Sequence, residues 1–267
     1  MAFITVTHGA LRYEQAEGIS VPHAFTTRLG GVSTGYLSSL NLGNSRGDSR
    51  ENVLENYRIL GNDLGIDPHS FVLSHQTHTD IIRTVTREDR GTGLYGPAFP
   101  PCDGLITADP GTALAVFTAD CTPVLLHDPV TGAVGAVHAG WRGTALDIAG
   151  KAVKAMCDAF GCRPQDIRAA VGPNIGPCCF ETDRDVPEAL YETYGSGIRD
   201  MIVRRGDKFF PDLKAVNAFS LRRAGVKQVE ISRDCTACRP DLYWSHRITG
   251  NRRGSQGAVI LCKEVSL

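Results

Sequence analysis

Between Ala113 and His138 three short apolar runs follow one another with almost nothing between them. This stretch constrains the fold more than any other. Ala113–Thr118, Pro123–His127 and Ala133–His138 are rich in Val, Ala and Leu and are bounded by turn residues, the pattern of strands. The link Asp128-Pro-Val-Thr-Gly132 is too short for a crossover helix, so the runs it joins form a hairpin and pair antiparallel. Arg168–Val171 reads as a fourth strand. A simple repeat of strand, helix and parallel strand is excluded, and the pattern predicts an α+β chain with helices packed outside sheets.

The helical signal is clearest after Gly143. Leu146, Ala149, Val153, Met156 and Phe160 recur at steps of three and four, one face of a 3.6-residue period. Thr144 is placed to cap the start, Gly161 to end the helix in a left-handed turn, and Pro164 to prevent its resumption. Helices are also predicted over 51–63, 185–195 and 212–223, with Gly225 closing the last. There is no repeat, no low-complexity tract and no linker rich in Pro, Gly or Ser, so a single domain over 1–267 is expected.

A net charge of −1 gives no indication of a basic face, so nucleic acid is not the default partner. Every apolar stretch is too short to cross a bilayer. The opening residues Met1 to His8 lack a basic segment followed by an apolar one, so no signal peptide is read and a cytoplasmic monomer is expected. Nine cysteines in such a chain are an odd number of mostly reduced thiols rather than a disulfide framework.

Three segments carry the residues suited to chemistry: Ser74-His-Gln-Thr-His-Thr-Asp80, Thr118-Ala-Asp-Cys-Thr-Pro123 and Val137-His-Ala-Gly-Trp-Arg-Gly143. Each places a metal-competent side chain at or near a predicted strand end, where the sheet fixes the backbone and the loop leaves the side chain reachable. Imidazole and thiolate together suit a borderline-soft ion such as Zn²⁺, and three protein ligands leave a fourth position for water, whose pKa the metal lowers to about 7. Spacing alone does not decide the matter. Steps of 43 residues from His78 to Cys121 and 17 from Cys121 to His138 match no zinc-finger pattern, and a lone His after a strand is more often a satisfied polar residue.

Six motifs settle the direction. Thr26-Thr-Arg-Leu-Gly-Gly-Val-Ser33, Ser39-Leu-Asn-Leu-Gly43, Gln76-Thr-His78, Ala119-Asp-Cys-Thr-Pro123, His138-Ala-Gly-Trp-Arg-Gly143 and Gly172-Pro-Asn-Ile-Gly-Pro-Cys-Cys179 occur in this order. Together, from about Phe25 to Ile260, they closely resemble the laccase-domain family, once called polyphenol oxidases and now described as purine nucleoside phosphorylases. The resemblance implies a zinc site of His78, Cys121 and His138. It also implies phosphorolysis of adenosine, inosine, guanosine and methylthioadenosine, with adenosine deamination as a further activity. The implied fold is a layered sandwich of two β-sheets face to face with helices outside. Two segments depart from the family pattern, Asn44-Ser-Arg-Gly-Asp48 and Trp244-Ser-His-Arg247, and both bear on the pocket wall rather than the metal ligands.

The two reactions ask for different groups. Deamination needs hydroxide at C6 of adenine and a group that moves protons to the leaving ammonia. Asp120, beside Cys121, is the candidate, although neighbours in an extended segment face opposite sides. Phosphorolysis needs cationic forks for phosphate as co-substrate, and Arg28, Arg46, Arg142 and Arg247 all lie in matching segments, with Arg46 and Arg142 preferred. His75 is read as a pocket residue, and Glu181 is an open candidate for the pocket.

Three rivals remain. Copper oxidation could use the same His, Cys, His set, but eight histidines without one His-x-His pair cannot supply a multicopper cluster, which leaves incidental Cu²⁺ binding. Cys121 could act as a nucleophile with His138 as its base. Cys235-Thr-Ala-Cys238 could pair with Cys178-Cys179 in a structural zinc knot.

Overall fold

A computed structural model describes residues 3–264. The first sheet has strand order β1 (Phe3–His8), β2 (Leu11–Ala16), β3 (His23–Thr26), β14 (Gln256–Leu261), β7 (Ala113–Thr118) and β4 (Phe71–Leu73). The second runs β13 (Gln228–Ile231), β10 (Arg168–Val171), β8 (Thr122–His127), β9 (Val134–Ala139), β6 (Gly104–Thr107) and β5 (Ile82–Thr84). A small separate hairpin joins β11 (Ile202–Arg205) to β12 (Lys208–Pro211). The helices are α1 (Arg50–Leu64), α2 (Trp141–Ala145), α3 (Ile148–Phe160), α4 (Asp185–Tyr194), α5 (Leu213–Arg223) and α6 (His246–Thr249).

Side-chain alternation explains the layering. In β14, Ala258 and Ile260 pack with Leu114 and Val116 of β7 and with Leu125, Val134 and Ala136 of the other sheet. The next residues, Val259 and Leu261, pack instead with Tyr57, Leu60 and Leu64 of α1. On the far sheet, Val137 and Ala139 meet Ala149, Val153 and Met156 of α3 and Leu221 of α5. The sheets therefore lie face to face between α1 on one side and α3 with α5 on the other. Both faces of the central strands are buried, so these strands read as continuous apolar runs even though most of their pairings are antiparallel.

The predicted strands and the hairpin hold: β8 pairs antiparallel with β9, with His127 opposite Val134 and Pro123 opposite His138. One helix differs from its expectation. The pattern after Gly143 predicts one continuous helix capped by Thr144, but Asp147 adopts φ 60° and divides it into α2 and α3. Leu146, expected on the buried face, is 47% exposed. The break is a tertiary effect. Asp147 accepts hydrogen bonds from Tyr194 (3.1 Å) and Ser220 and pairs with Arg223 at 2.7 Å. Those bonds offset the cost of left-handed backbone in a non-glycine residue. Gly161 does end α3 in the left-handed conformation, at φ 67°. Among the described residues, no helix is long and apolar enough to cross a membrane.

Candidate metal centre

The register of β9 turns Val134, Ala136 and His138 toward the space between the sheets. His138 is the last of these and comes out at the sandwich's open end. Cys121 arrives there from the tight link between β7 and β8, and His78 from the loop between β4 and β5. The metal-competent atoms of His78, Cys121 and His138 all lie within 4.8 Å of one another. The structure thus brings these three together from widely separated positions in the sequence.

Asp103, at the head of β6, organises the cluster. It is fully buried. One carboxylate oxygen accepts from His138 Nδ1 at 2.7 Å and from the His78 backbone N–H at 3.0 Å. The other accepts from the Thr77 and Thr79 backbone N–H groups at 3.1 and 2.8 Å and from the Thr79 hydroxyl at 2.8 Å. Those bonds hold a tight loop in which His78 has φ 64°. Burial opposes ionisation of Asp103, but the bonds from His138 and Thr79 outweigh it and hold the carboxyl down to about 2. Burial also opposes charge on His138. Interaction with the Cys121 sulfur and the Asp103 carboxylate outweighs it there too and pushes the imidazole up to about 9. His78 is shifted down, by burial first and then by His138.

The flanking motif residues serve this geometry. Gln76 clamps the His78 loop to the end of β7, donating to the Phe117 carbonyl and accepting from its N–H, both at 2.7 Å. Gly140 leaves room that no other residue would leave. A Cβ there would stand 2.6 Å from His78 Nδ1 and 3.3 Å from the Cys121 sulfur.

Two cavities open on the cluster. One, of about 410 Å³, is bordered by the 43–46 loop, Ser74 to Gln76, Phe117 and His138. The other, of about 350 Å³, is walled by Trp141, Ile175, Phe180, Leu213, His246 and Arg247. Arg46, His78, Ala119, Cys121 and Arg253 border both. Arg253 is only 8% exposed, its Nη1 reaches the Gly254 carbonyl at 3.0 Å, and its Nε has no hydrogen-bond partner. Burial, then the charge of nearby Arg46, pushes its guanidinium down to about 10.

The remaining candidates are distributed unevenly. Arg46 borders both cavities and Arg247 borders the second, where it donates to the Cys179 and Glu181 carbonyls, each at 3.0 Å. Arg28 borders neither. Its guanidinium lies 3.9 Å over the Trp244 ring and donates to the Ser38 and Pro240 carbonyls. Arg142 stacks 4.2 Å over Trp141 and is exposed. Asp120 has φ 86°, and its oxygens accept from the Thr236 hydroxyl at 2.6 Å and the Arg247 N–H at 2.7 Å. His75 borders the first cavity, with Nδ1 on the Phe99 carbonyl at 2.7 Å. Sequence reasoning missed Asp103 and Arg253. Neither residue lies in one of the six ordered motifs, so no local signal marks it.

Comparison with known proteins agrees with this architecture. The family model described as "Multi-copper polyphenol oxidoreductase laccase" matches residues 22–263. The chain is 39% identical over 241 residues to a Geobacillus stearothermophilus protein named purine nucleoside phosphorylase YlmD, covering 88% of this chain and 86% of that one. It is 33% identical over 246 residues to a protein from an unknown prokaryotic organism named adenosine deaminase RL5, covering 90% and 93%. The crystal structure of YlmD from Geobacillus stearothermophilus matches with a TM-score of 0.92 at 35% identity, over 98% of this chain and 100% of that one. The fold, the six ordered motifs and the extent of these matches agree: the chain belongs to the laccase-domain family.

Proposed function

We propose that this chain is a purine nucleoside phosphorylase that also deaminates adenosine, dependent on a zinc ion held by His78, Cys121 and His138. The observation that carries the reading is the shared wall of the two cavities. There His78 and Cys121 of the metal-competent triad stand beside the cations Arg46 and Arg253, and His138 borders the first cavity. The relatives named purine nucleoside phosphorylase and adenosine deaminase support the same reading. The donor set fits zinc: two imidazoles and one sulfur within 4.8 Å, with one imidazole already held through Nδ1 by a carboxylate. Zinc bound by three protein groups supplies a Lewis acid with an open position. Among the described residues, these are the only two imidazoles in any cluster of three or more metal-competent groups, so a multicopper cluster has no ligands to use.

The chain's own residues divide the work. The purine lies against Trp141, Phe180 and Leu213, and the phosphate lies at Arg46 and Arg253. In phosphorolysis a phosphate oxygen bonds to C1′ of the ribose. The C1′–N9 bond breaks with its electron pair on nitrogen, and the base leaves carrying the proton that the attacking hydrogen phosphate gives up. Arg253, buried and short of partners, gains most from an anion. In deamination a water oxygen bonds to C6, and the amino group departs as ammonia. Asp120 acts by positioning Arg247 rather than by moving protons, and Arg28 braces the fold. The substrates are adenosine, inosine, guanosine and methylthioadenosine, taken by a cytoplasmic monomer without nucleic-acid or membrane partners.

A second reading has its own observation. Asp103, His138 and Cys121 form a carboxylate, imidazole and thiol series like that of cysteine nucleophiles. Metal analysis and product analysis on one sample separate the two. The phosphorylase reading expects free adenine from zinc-loaded protein only when phosphate is present. Metal-free protein that leaves nucleosides intact but is alkylated stoichiometrically at Cys121 would replace it with the hydrolase reading.

A further inference from the structure

Four of the nine cysteines converge away from the site just described. Cys178 and Cys179 lie in the turn after β10, and Cys235 and Cys238 in the turn after β13. β13 is an edge strand of the second sheet and pairs parallel with β10. The four sulfurs lie within 4.8 Å of one another. The Cys238 sulfur stands 3.5 Å from that of Cys178 and 3.4 Å from that of Cys179. A disulfide requires about 2.05 Å, and all four are free thiols. A tetrahedral site with metal–sulfur bonds of about 2.3 Å has sulfur–sulfur edges of about 3.8 Å, which is the scale observed.

We propose that Cys178, Cys179, Cys235 and Cys238 bind a second zinc ion, a closed structural site distinct from the centre at His78, Cys121 and His138. Two further observations bear on it. The Gly176 backbone N–H donates to the Cys235 sulfur at 3.1 Å, and the Cys238 backbone N–H donates to the same atom. Such bonds stabilise a metal-bound thiolate. Four thiolates and one dication leave two negative charges, and a cation stands beside them. Lys214 is 6% exposed, and its Nζ donates at 2.7 Å to the carbonyl of Asp234, the residue before Cys235. A buried ammonium is costly without a compensating charge. Four ligands leave no open position, which makes the site structural rather than catalytic.

Its place in the fold gives it a purpose. An isolated bridge already pairs Asn174 with Cys235, and the Thr236 N–H donates to the Asn174 carbonyl at 3.0 Å. Arg247 donates to the carbonyls of Cys179 and Glu181. The ion fastens the turn bearing Phe180 to the segment leading to His246 and Arg247, and these three residues wall the second cavity. The four-cysteine site does not depend on the phosphorylase reading.

The test is zinc content by elemental analysis, on full-length protein purified under reducing conditions with zinc supplied. Two ions per chain are expected in the natural chain. One is expected in the variant combining Cys178→Ser with Cys238→Ser, and one in the variant combining His78→Ala with His138→Ala. Cobalt substitution of the His78→Ala/His138→Ala variant is expected to give the strong sulfur-to-metal absorption of a tetrathiolate. That variant keeps all four cysteines, so it tests the site even if the cysteine variant fails to fold. No bound metal in it, or a Cys178–Cys238 or Cys179–Cys238 disulfide in the reduced natural chain, would overturn the proposal.

Discussion

The hairpin of β8 and β9 buries a histidine at each of its two ends, and the two behave oppositely. His127 is 3% exposed and His138 4%. Burial, reinforced by the Arg168 charge, pushes His127 down to about 4, and its Nδ1 has no hydrogen-bond partner. His138 suffers the same burial, yet Cys121 and Asp103 push it up to about 9. Residue type and depth are matched, so neighbouring charge makes the difference. A buried histidine is prepared for chemistry by an ordered carboxylate and a sulfur nearby. Where the nearby carboxylate makes no hydrogen bond to the ring, as at His127 beside Asp128, burial wins and the histidine stays a neutral core residue.

Removing the active histidine should break the comparison most severely. His138→Ala takes a nitrogen from the proposed zinc set, and phosphate-dependent nucleoside cleavage should fall to background. Asp103→Asn comes next, because it keeps the shape but loses the charge that fixes the imidazole. It should weaken zinc affinity by about 10- to 100-fold, read by competition with a chelator. Affinity unchanged in that variant would mean that the carboxylate is not what separates the two ends. Arg253→Ala should raise the KM for phosphate by about tenfold, equivalent to about 1.4 kcal/mol, while its KM for nucleoside changes less.

The smallest effect belongs to the other end. A histidine whose folded pKa lies below its unfolded value of about 6.5 contributes stability above that pH and loses it as pH falls toward the folded value. His127 should therefore cost the fold about 1–3 kcal/mol between about pH 6.5 and pH 4. His127→Gln should flatten that part of the denaturation profile and leave zinc content unchanged. A change in zinc content would place His127 in the machinery after all.

How far the sequence reached follows from how local each determinant is. The boundaries of β7 and β10, the β8–β9 hairpin and the end of α3 at Gly161 depend on neighbouring residues, and all were legible. Asp147 breaks the helix through partners on α4 and α5, which no local pattern encodes. The insertion of β14 between β3 and β7 is likewise a long-range pairing. At the site, His78, Cys121 and His138 were named because their motifs carry them. Asp103 and Arg253 take their roles only once β6 lies beside β9 and the chain end returns past Asn41, whose side-chain oxygen accepts from the Ser255 N–H at 2.9 Å. Trp244 departs from the family pattern in the expected segment, yet it packs as a buried brace, with Nε1 on the Leu40 carbonyl at 3.0 Å. Its neighbours His246 and Arg247 form the wall.

The most direct measurement is an anomalous difference map at the zinc edge from crystals grown with zinc and phosphate. The account predicts an ion bonded to His78, Cys121 and His138, with phosphate against Arg46 and Arg253 on the wall shared by the two cavities. Zinc absent from those three residues, or phosphate bound away from both arginines, would contradict it.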